Sequence, residues 1–80
     1  MASAQLNLGN AYTNGFGVEK NDAIAVALYK KSAEQGLSKA QYSLCRNYYY
    51  GNGIEKNVMQ ATFWCNKAAG FPGRGFRTLN

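Results

Sequence analysis

Histidine is absent from this 80-residue chain, and cysteine occurs only twice, at Cys45 and Cys65. Without histidine, neither a Cys/His zinc site nor a Cys–His catalytic dyad can be assembled within the chain. Two cysteines cannot form the dense disulfide framework of small secreted domains. Acids are few: four Asp/Glu stand against nine Lys/Arg, for a net charge of +5. Two of those basic residues, Arg74 and Arg77, lie in an acid-free terminal segment, so the rest of the chain carries 5 − 2 = +3. The others are dispersed, with Lys30-Lys31 the one adjacent pair. That distribution reads as a solvated basic surface, because a nucleic-acid binder clusters its cations on one face. Apolar runs are short, well under the roughly 18 residues needed to span a bilayer. The start, Met1-Ala2-Ser3-Ala4-Gln5, has no basic or apolar leader pattern. The default expectation is therefore a cytoplasmic location without membrane insertion, or a secreted or periplasmic one if the chain is a piece of a longer protein.

What the chain does have is one 36-residue unit written twice. Aligning residues 4–39 with 40–75 gives 12 identical pairs without a gap. Among them are Ala4/Ala40, Gln5/Gln41, Leu8/Leu44, Tyr12/Tyr48, Gly15/Gly51, Gly17/Gly53 and the run Glu19-Lys20-Asn21/Glu55-Lys56-Asn57. A fixed period of this length marks stacked supersecondary units.

Each unit reads as helix, glycine loop, helix. Ala4, Leu8, Ala11 and Tyr12 recur at helical spacing, as do Ala40, Leu44 and Tyr48. Gly15-Phe16-Gly17 and Gly51-Asn52-Gly53 end those stretches, and Val18 or Ile54 supplies one apolar anchor beyond them. Asn21 and Asn57 are good N-caps. Asn57 with Gln60, and Ser38 with Gln41, have capping-box spacing. The second helices are expected over Asp22 to Gln35 and Val58 to Ala69. From Gly70 the repeat dissolves into Gly70-Phe71-Pro72-Gly73, which predicts an irregular tail. Its Phe71, Phe76 and Leu79 are candidates for a crude cap.

The run from Ala4-Gln5 through Gly15-Phe16-Gly17-Val18-Glu19-Lys20-Asn21, then Ala25, Tyr29, Lys31 and Ala33-Glu34-Gln35-Gly36, resembles a Sel-1-like repeat. The second copy matches as well, from Ala40-Gln41 to Lys67-Ala68-Ala69. The resemblance implies an all-α fold: an α/α superhelix, a right-handed tetratricopeptide-type solenoid of two antiparallel hairpins. Its first helices would line a concave face. It also implies an adaptor or scaffold role without enzymatic activity or cofactor. Cys45 stands where the family pattern, and Gly9 in unit one, has glycine. A cysteine-rich branch of the family, associated with penicillin-like compounds, carries cysteines at positions corresponding to Ala33 and Gln41. Both are missing here, so penicillin binding or hydrolysis is only a remote alternative.

Few constellations suggest chemistry. The Gly-x-Gly loops neither follow a strand nor supply a Gly-Lys-Ser/Thr phosphate loop. Glu19 and Glu55 occupy one repeat position and do not oppose each other as an acid/base pair. Cys45 and Cys65 fall within about a turn of each other on facing helices. The expectation is buried free thiols; a disulfide, the alternative, needs Cα atoms within about 7 Å.

The suggestive surface lies on the third helix. Leu44, Tyr48, Ala40, Gln41 and Cys45 are expected to face the packing. Tyr42, Arg46 and Tyr49 follow i, i+4, i+7 on another face, flanked by Tyr50. Leu6, Asn10, Thr13 and Asn14 are their counterparts in unit one. Tyrosine and arginine are enriched at binding hot spots, arginine can grip a carboxylate in a fork, and the asparagines can bond an extended backbone. These eight residues form the expected site for a protein or peptide partner. The competing reading is inter-repeat packing within a longer repeat protein. Phe63, Trp64 and Ala68 make the last helix apolar, and this end offers a route to homo-oligomers.

Overall fold

Helix periodicity and glycine stops translate into four helices in a computed structural model, which describes residues 1–70. They are α1 (Ala2–Asn14), α2 (Asp22–Glu34), α3 (Ser38–Tyr50) and α4 (Val58–Ala68), with no strand among the described residues. Helices α1 and α2 form one hairpin, α3 and α4 a second, and α2 packs on α3 to join them. The fold is an all-α helical repeat. The expected tail and the cap by Phe71, Phe76 and Leu79 lie outside the described residues.

The two hairpins are closed in the same way. Gly15 and Gly51 both sit at φ 74°, and their N–H groups bond back to the Ala11 and Asn47 carbonyls. This left-handed residue satisfies carbonyls that the helix end would otherwise orphan. Further on, Asn21 N–H donates to Tyr12 O and Asn57 N–H to Tyr48 O, each at 2.9 Å. Asn21 and Asn57 then cap α2 and α4, accepting from the N–H groups of Ile24 and Gln60. Neither expected capping box is completed: Asn57 N–H goes to Tyr48 O and not back to the Gln60 side chain, and the pair Ser38 and Gln41 makes no box at all. Leu37 is the N-cap of α3 and Ser38 already lies inside the helix. Gln41 turns inward instead: buried, it donates from Nε2 to the Ala33 carbonyl at 3.1 Å. The Ala33 carbonyl already accepts from Gly36 N–H at 3.0 Å, and it is the buried amide that gains a partner here.

The core runs through both units. Leu6, Ala25, Val26, Tyr29 and Ala33 join Ala40, Leu44, Cys45, Tyr48, Ala61 and Trp64 in one cluster, with Tyr12, Leu37, Ile54 and Cys65 packed on it. The expected inward face of α3 is thus the buried one: Ala40, Gln41, Leu44, Cys45 and Tyr48. Identical repeat positions do not share burial, however. Leu44 is 0% exposed, whereas its counterpart Leu8 is 46% exposed. Helix α2 covers the outer side of α3, and no described element covers that side of α1.

The cysteines overturn the free-thiol expectation. Cys45 and Cys65 form a disulfide, with Cα atoms 5.3 Å apart. The antiparallel pairing of α3 and α4 brings the two positions opposite each other, well within bridging range. In unit one the same two positions are Gly9 and Tyr29. A Cβ at Gly9 would lie 2.7 Å from the Tyr29 ring, so glycine there admits the aromatic ring. One hairpin is therefore tied by a ring seated on a glycine, the other by a covalent bridge.

A second close approach joins the units. Gly53, at φ 76°, lies against the first residues of α2; an added Cβ would come within 2.9 Å of Ala23 N. Gly17, its counterpart at the same φ, has nothing within 4 Å.

Candidate functional site

Side chains of α1 and α3 that point away from the core border two adjoining cavities. The larger, of about 640 Å³, is walled by Leu6 and Asn10 of α1, by Ser38, Lys39, Tyr42 and Ser43 of α3, and by Cys65, Ala68 and Ala69 at the end of α4. Its lining is mainly apolar, with Lys39 the one charged residue among those that border it. The smaller, of about 260 Å³, is polar. Asn10, Thr13 and Asn14 form one side of it, Ser43, Arg46, Asn47 and Tyr50 the other, with Asp22, Tyr29 and Asn52 completing the wall. Asn10 and Ser43 belong to both, so the two cavities adjoin.

Seven of the eight residues selected from sequence border these cavities. Leu6 and Tyr42 belong to the apolar one, Thr13, Asn14, Arg46 and Tyr50 to the polar one, and Asn10 to both. Tyr49 borders neither; its ring packs edge-on against Tyr50, centroids 4.9 Å apart. Leu6 is buried and also contributes to the core, whereas Tyr42 is 55% exposed.

Several wall residues were not singled out from sequence. Lys39, Ser43 and Asn47 follow i, i+4, i+8 and lead to the already chosen Tyr50 at i+11, a stripe visible in principle by helical spacing. Cys65 and Ala68 come from α4, and only the hairpin's folding brings them to this face.

Hydrogen bonding fixes the polar groups of unit one. Tyr29 Oη donates to Asn10 Oδ1 at 2.7 Å and lies 2.8 Å from Thr13 Oγ1. Asn14 Nδ2 donates to the Asn10 carbonyl at 2.9 Å, and Asn47 Nδ2 to the Asn52 carbonyl at 2.9 Å. Each amide has one end engaged, which leaves Asn10 Nδ2, Asn14 Oδ1 and Asn47 Oδ1 as the ends available at the cavity.

The counterparts of Asn10 and Thr13 in unit two are Arg46 and Tyr49, and the counterpart of Tyr29 is Cys65. With the ring replaced by a bridge, no phenol is there to hold Arg46 or Tyr49. Arg46 is exposed and makes no ion pair with any described residue; the single pair is Lys20–Asp22, at 3.1 Å. Among the described residues no group of His, Cys, Asp and Glu could hold a metal ion, and no helix is long and apolar enough to cross a membrane.

Comparison with known proteins agrees with this geometry. The Sel1 repeat model matches residues 2–37 and 38–69, the two hairpins. A crystal structure of a Sel1 repeat protein from Oxalobacter formigenes superposes with a TM-score of 0.85 at 48% identity, covering 86% of this chain and 28% of that one. The c5321 protein, a protective antigen of uropathogenic Escherichia coli with the same repeat fold, gives a TM-score of 0.85 at 39% identity, covering 86% of this chain and 15% of that one. The chitin synthase regulator SKT5 of Saccharomyces cerevisiae is 40% identical over 55 residues, which is 69% of this chain and 8% of that protein. The chain thus spans well under a third of each of these relatives. Two full matches to one repeat model, on two hairpins of the same fold, place the chain in the Sel1 repeat family.

Proposed function

We propose that the protein is a non-enzymatic interaction module that holds a peptide or partner helix in the groove between α1 and α3. Sel1 repeats generally serve as protein-interaction scaffolds, and the yeast relative is named a regulator. The observation that carries the reading is the pair of adjoining cavities between α1 and α3. One is apolar and bordered by an exposed tyrosine, and the other is polar and bordered by an arginine that makes no ion pair with any described residue. Exposed aromatic and arginine side chains beside a concavity are the composition of binding hot spots.

The test is the double substitution Tyr42→Ala with Arg46→Ala. Both side chains are exposed, so helicity by circular dichroism should be unchanged. Affinity for peptides selected on the wild-type protein should fall by tenfold or more, since truncating a hot-spot residue costs about 2 kcal/mol or above. Unchanged affinity rules the groove out.

A second reading treats the chain as a structural segment that stacks on further repeats or self-associates. Of the apolar residues expected at the end of the solenoid, Trp64 is buried in the core and Phe63 is exposed; the reading is favoured by Phe63, by Leu8 and by Met59, 83% exposed on α4. Light scattering separates the two, because a segment of this kind forms concentration-dependent assemblies, whereas a module that binds its partner as a monomer does not.

A further inference from the structure

Within the groove reading, on which this step rests, we infer that the occupant is an extended acidic segment. It carries a large apolar side chain two residues away from an Asp or Glu. The apolar side chain enters the cavity bounded by Leu6, Tyr42 and Ala68, and the carboxylate meets Arg46.

Three observations lead there. First, charge: Arg46 makes no ion pair with any described residue, and Lys39 lines the neighbouring cavity. The chain as a whole is +5. A carboxylate at Arg46 therefore gains a charge-assisted, fork-shaped contact without breaking an existing one.

Second, the backbone. Asn10 Nδ2, Asn14 Oδ1 and Asn47 Oδ1 are left available once Tyr29, the Asn10 carbonyl and the Asn52 carbonyl have engaged the other ends. They offer one donor and two acceptors to the polar cavity. A helix satisfies its own N–H and C=O groups and has little use for such amides. An extended strand presents them unsatisfied.

Third, register. Tyr42 and Arg46 are one turn apart on α3, about 6 Å along the axis. An extended chain advances about 3.3 Å per residue and returns side chains to the same side every second residue. Two residues span about 6.6 Å, which matches.

The change that makes this possible is the loss of the phenol in unit two. Tyr29 holds Asn10 and Thr13 inside the first hairpin, whereas the Cys45–Cys65 bridge ties the second hairpin without a phenol. With the bridge in place of the phenol, Arg46 has no ion pair with a described residue to give up to a ligand.

The test is selection from a fully degenerate displayed peptide library on the intact, oxidised 80-residue protein, in parallel with the Arg46→Glu variant. The wild type should enrich Leu, Ile, Phe, Tyr or Trp two positions from Asp or Glu. The variant should keep the apolar preference and lose the acidic one. For the most enriched peptide, replacing its acid by the amide should weaken binding about tenfold or more, the effect of losing a hydrogen bond to a charged group. Acids enriched four positions from the apolar residue would overturn the extended register and leave the groove to a partner helix. Acid-free peptides whose binding still disappears in the Tyr42→Ala, Arg46→Ala variant would overturn the acidic ligand and keep the groove. An unchanged profile with Arg46→Glu overturns the role of Arg46. No enrichment on the wild type removes both the inference and the reading beneath it.

Discussion

Reducing the Cys45–Cys65 bridge should remove a large part of the protein's stability. The cross-link joins positions 20 residues apart. In the chain-entropy account, closing a loop of about 20 residues restricts the unfolded chain by roughly 11 cal/mol/K, or about 3 kcal/mol at 25 °C. An 80-residue domain has about 4–12 kcal/mol in total, so this loss is a substantial fraction. With a urea dependence of about 1 kcal/mol per molar, the midpoint should fall by about 3 M on adding a phosphine reductant. The same experiment on Cys45→Ala with Cys65→Ala should reproduce the reduced curve and lose its response to reductant. Cys45→Gly with Cys65→Tyr rebuilds the pair that ties unit one, and should recover part of the loss through ring burial. Thiol titration in denaturant supplies the refutation. Two thiols released by the unreduced protein, or coincident urea curves with and without reductant, would show that the bridge does not hold the second hairpin.

Three further perturbations probe the packing. Gly17→Ala and Gly53→Ala impose the same left-handed strain, of about 1–2 kcal/mol, but only Gly53 abuts the start of α2. Urea unfolding should show Gly53→Ala to be the more damaging by at least about 1 kcal/mol, and equal losses would refute the contact between the repeats. Gly9→Ala drives a methyl into the buried Tyr29 ring, which is also held by Asn10 and Thr13. It should destabilise by about 1–2 kcal/mol after the helix-propensity gain, and a more stable variant would contradict the packing. Leu8→Glu should leave the thermal midpoint of the monomer nearly unchanged, while Leu44→Glu, at a fully buried position, should prevent folding. If the chain self-associates through the open side of α1, Leu8→Glu should also abolish concentration dependence in light scattering.

The repeat made most of the fold legible. Asn21, Asn57, Gly15 and Gly51 act through the backbone within a few residues, so helix starts and stops follow from local chemistry. The apolar stripe of α3 likewise named its own buried face. Ser38 and Gln41 show the limit of local reading. Their capping-box spacing is genuine, but the carbonyl of Ala33, eight residues from Gln41 and at the end of the preceding helix, competes for the amide and wins. For the candidate site, the differences between copies pointed to Tyr42 and Arg46. Spacing alone also included Tyr49, which instead rests on Tyr50 and borders neither cavity.

By itself, then, the sequence determined two antiparallel hairpins in tandem, their caps and turns, and the helix face on which the two copies differ. Periodicity, capping and glycine stops are short-range, and a single chain carries them openly. The tertiary structure decided which of two identical leucines is buried, because that depends on whether another helix lies across it. It decided that Cys45 and Cys65 are bonded, which requires two helices to meet in register. It also decided that α4 closes one wall of a groove whose other sides belong to α1 and α3. Each of these depends on distances between residues far apart in the chain, and no local pattern encodes them.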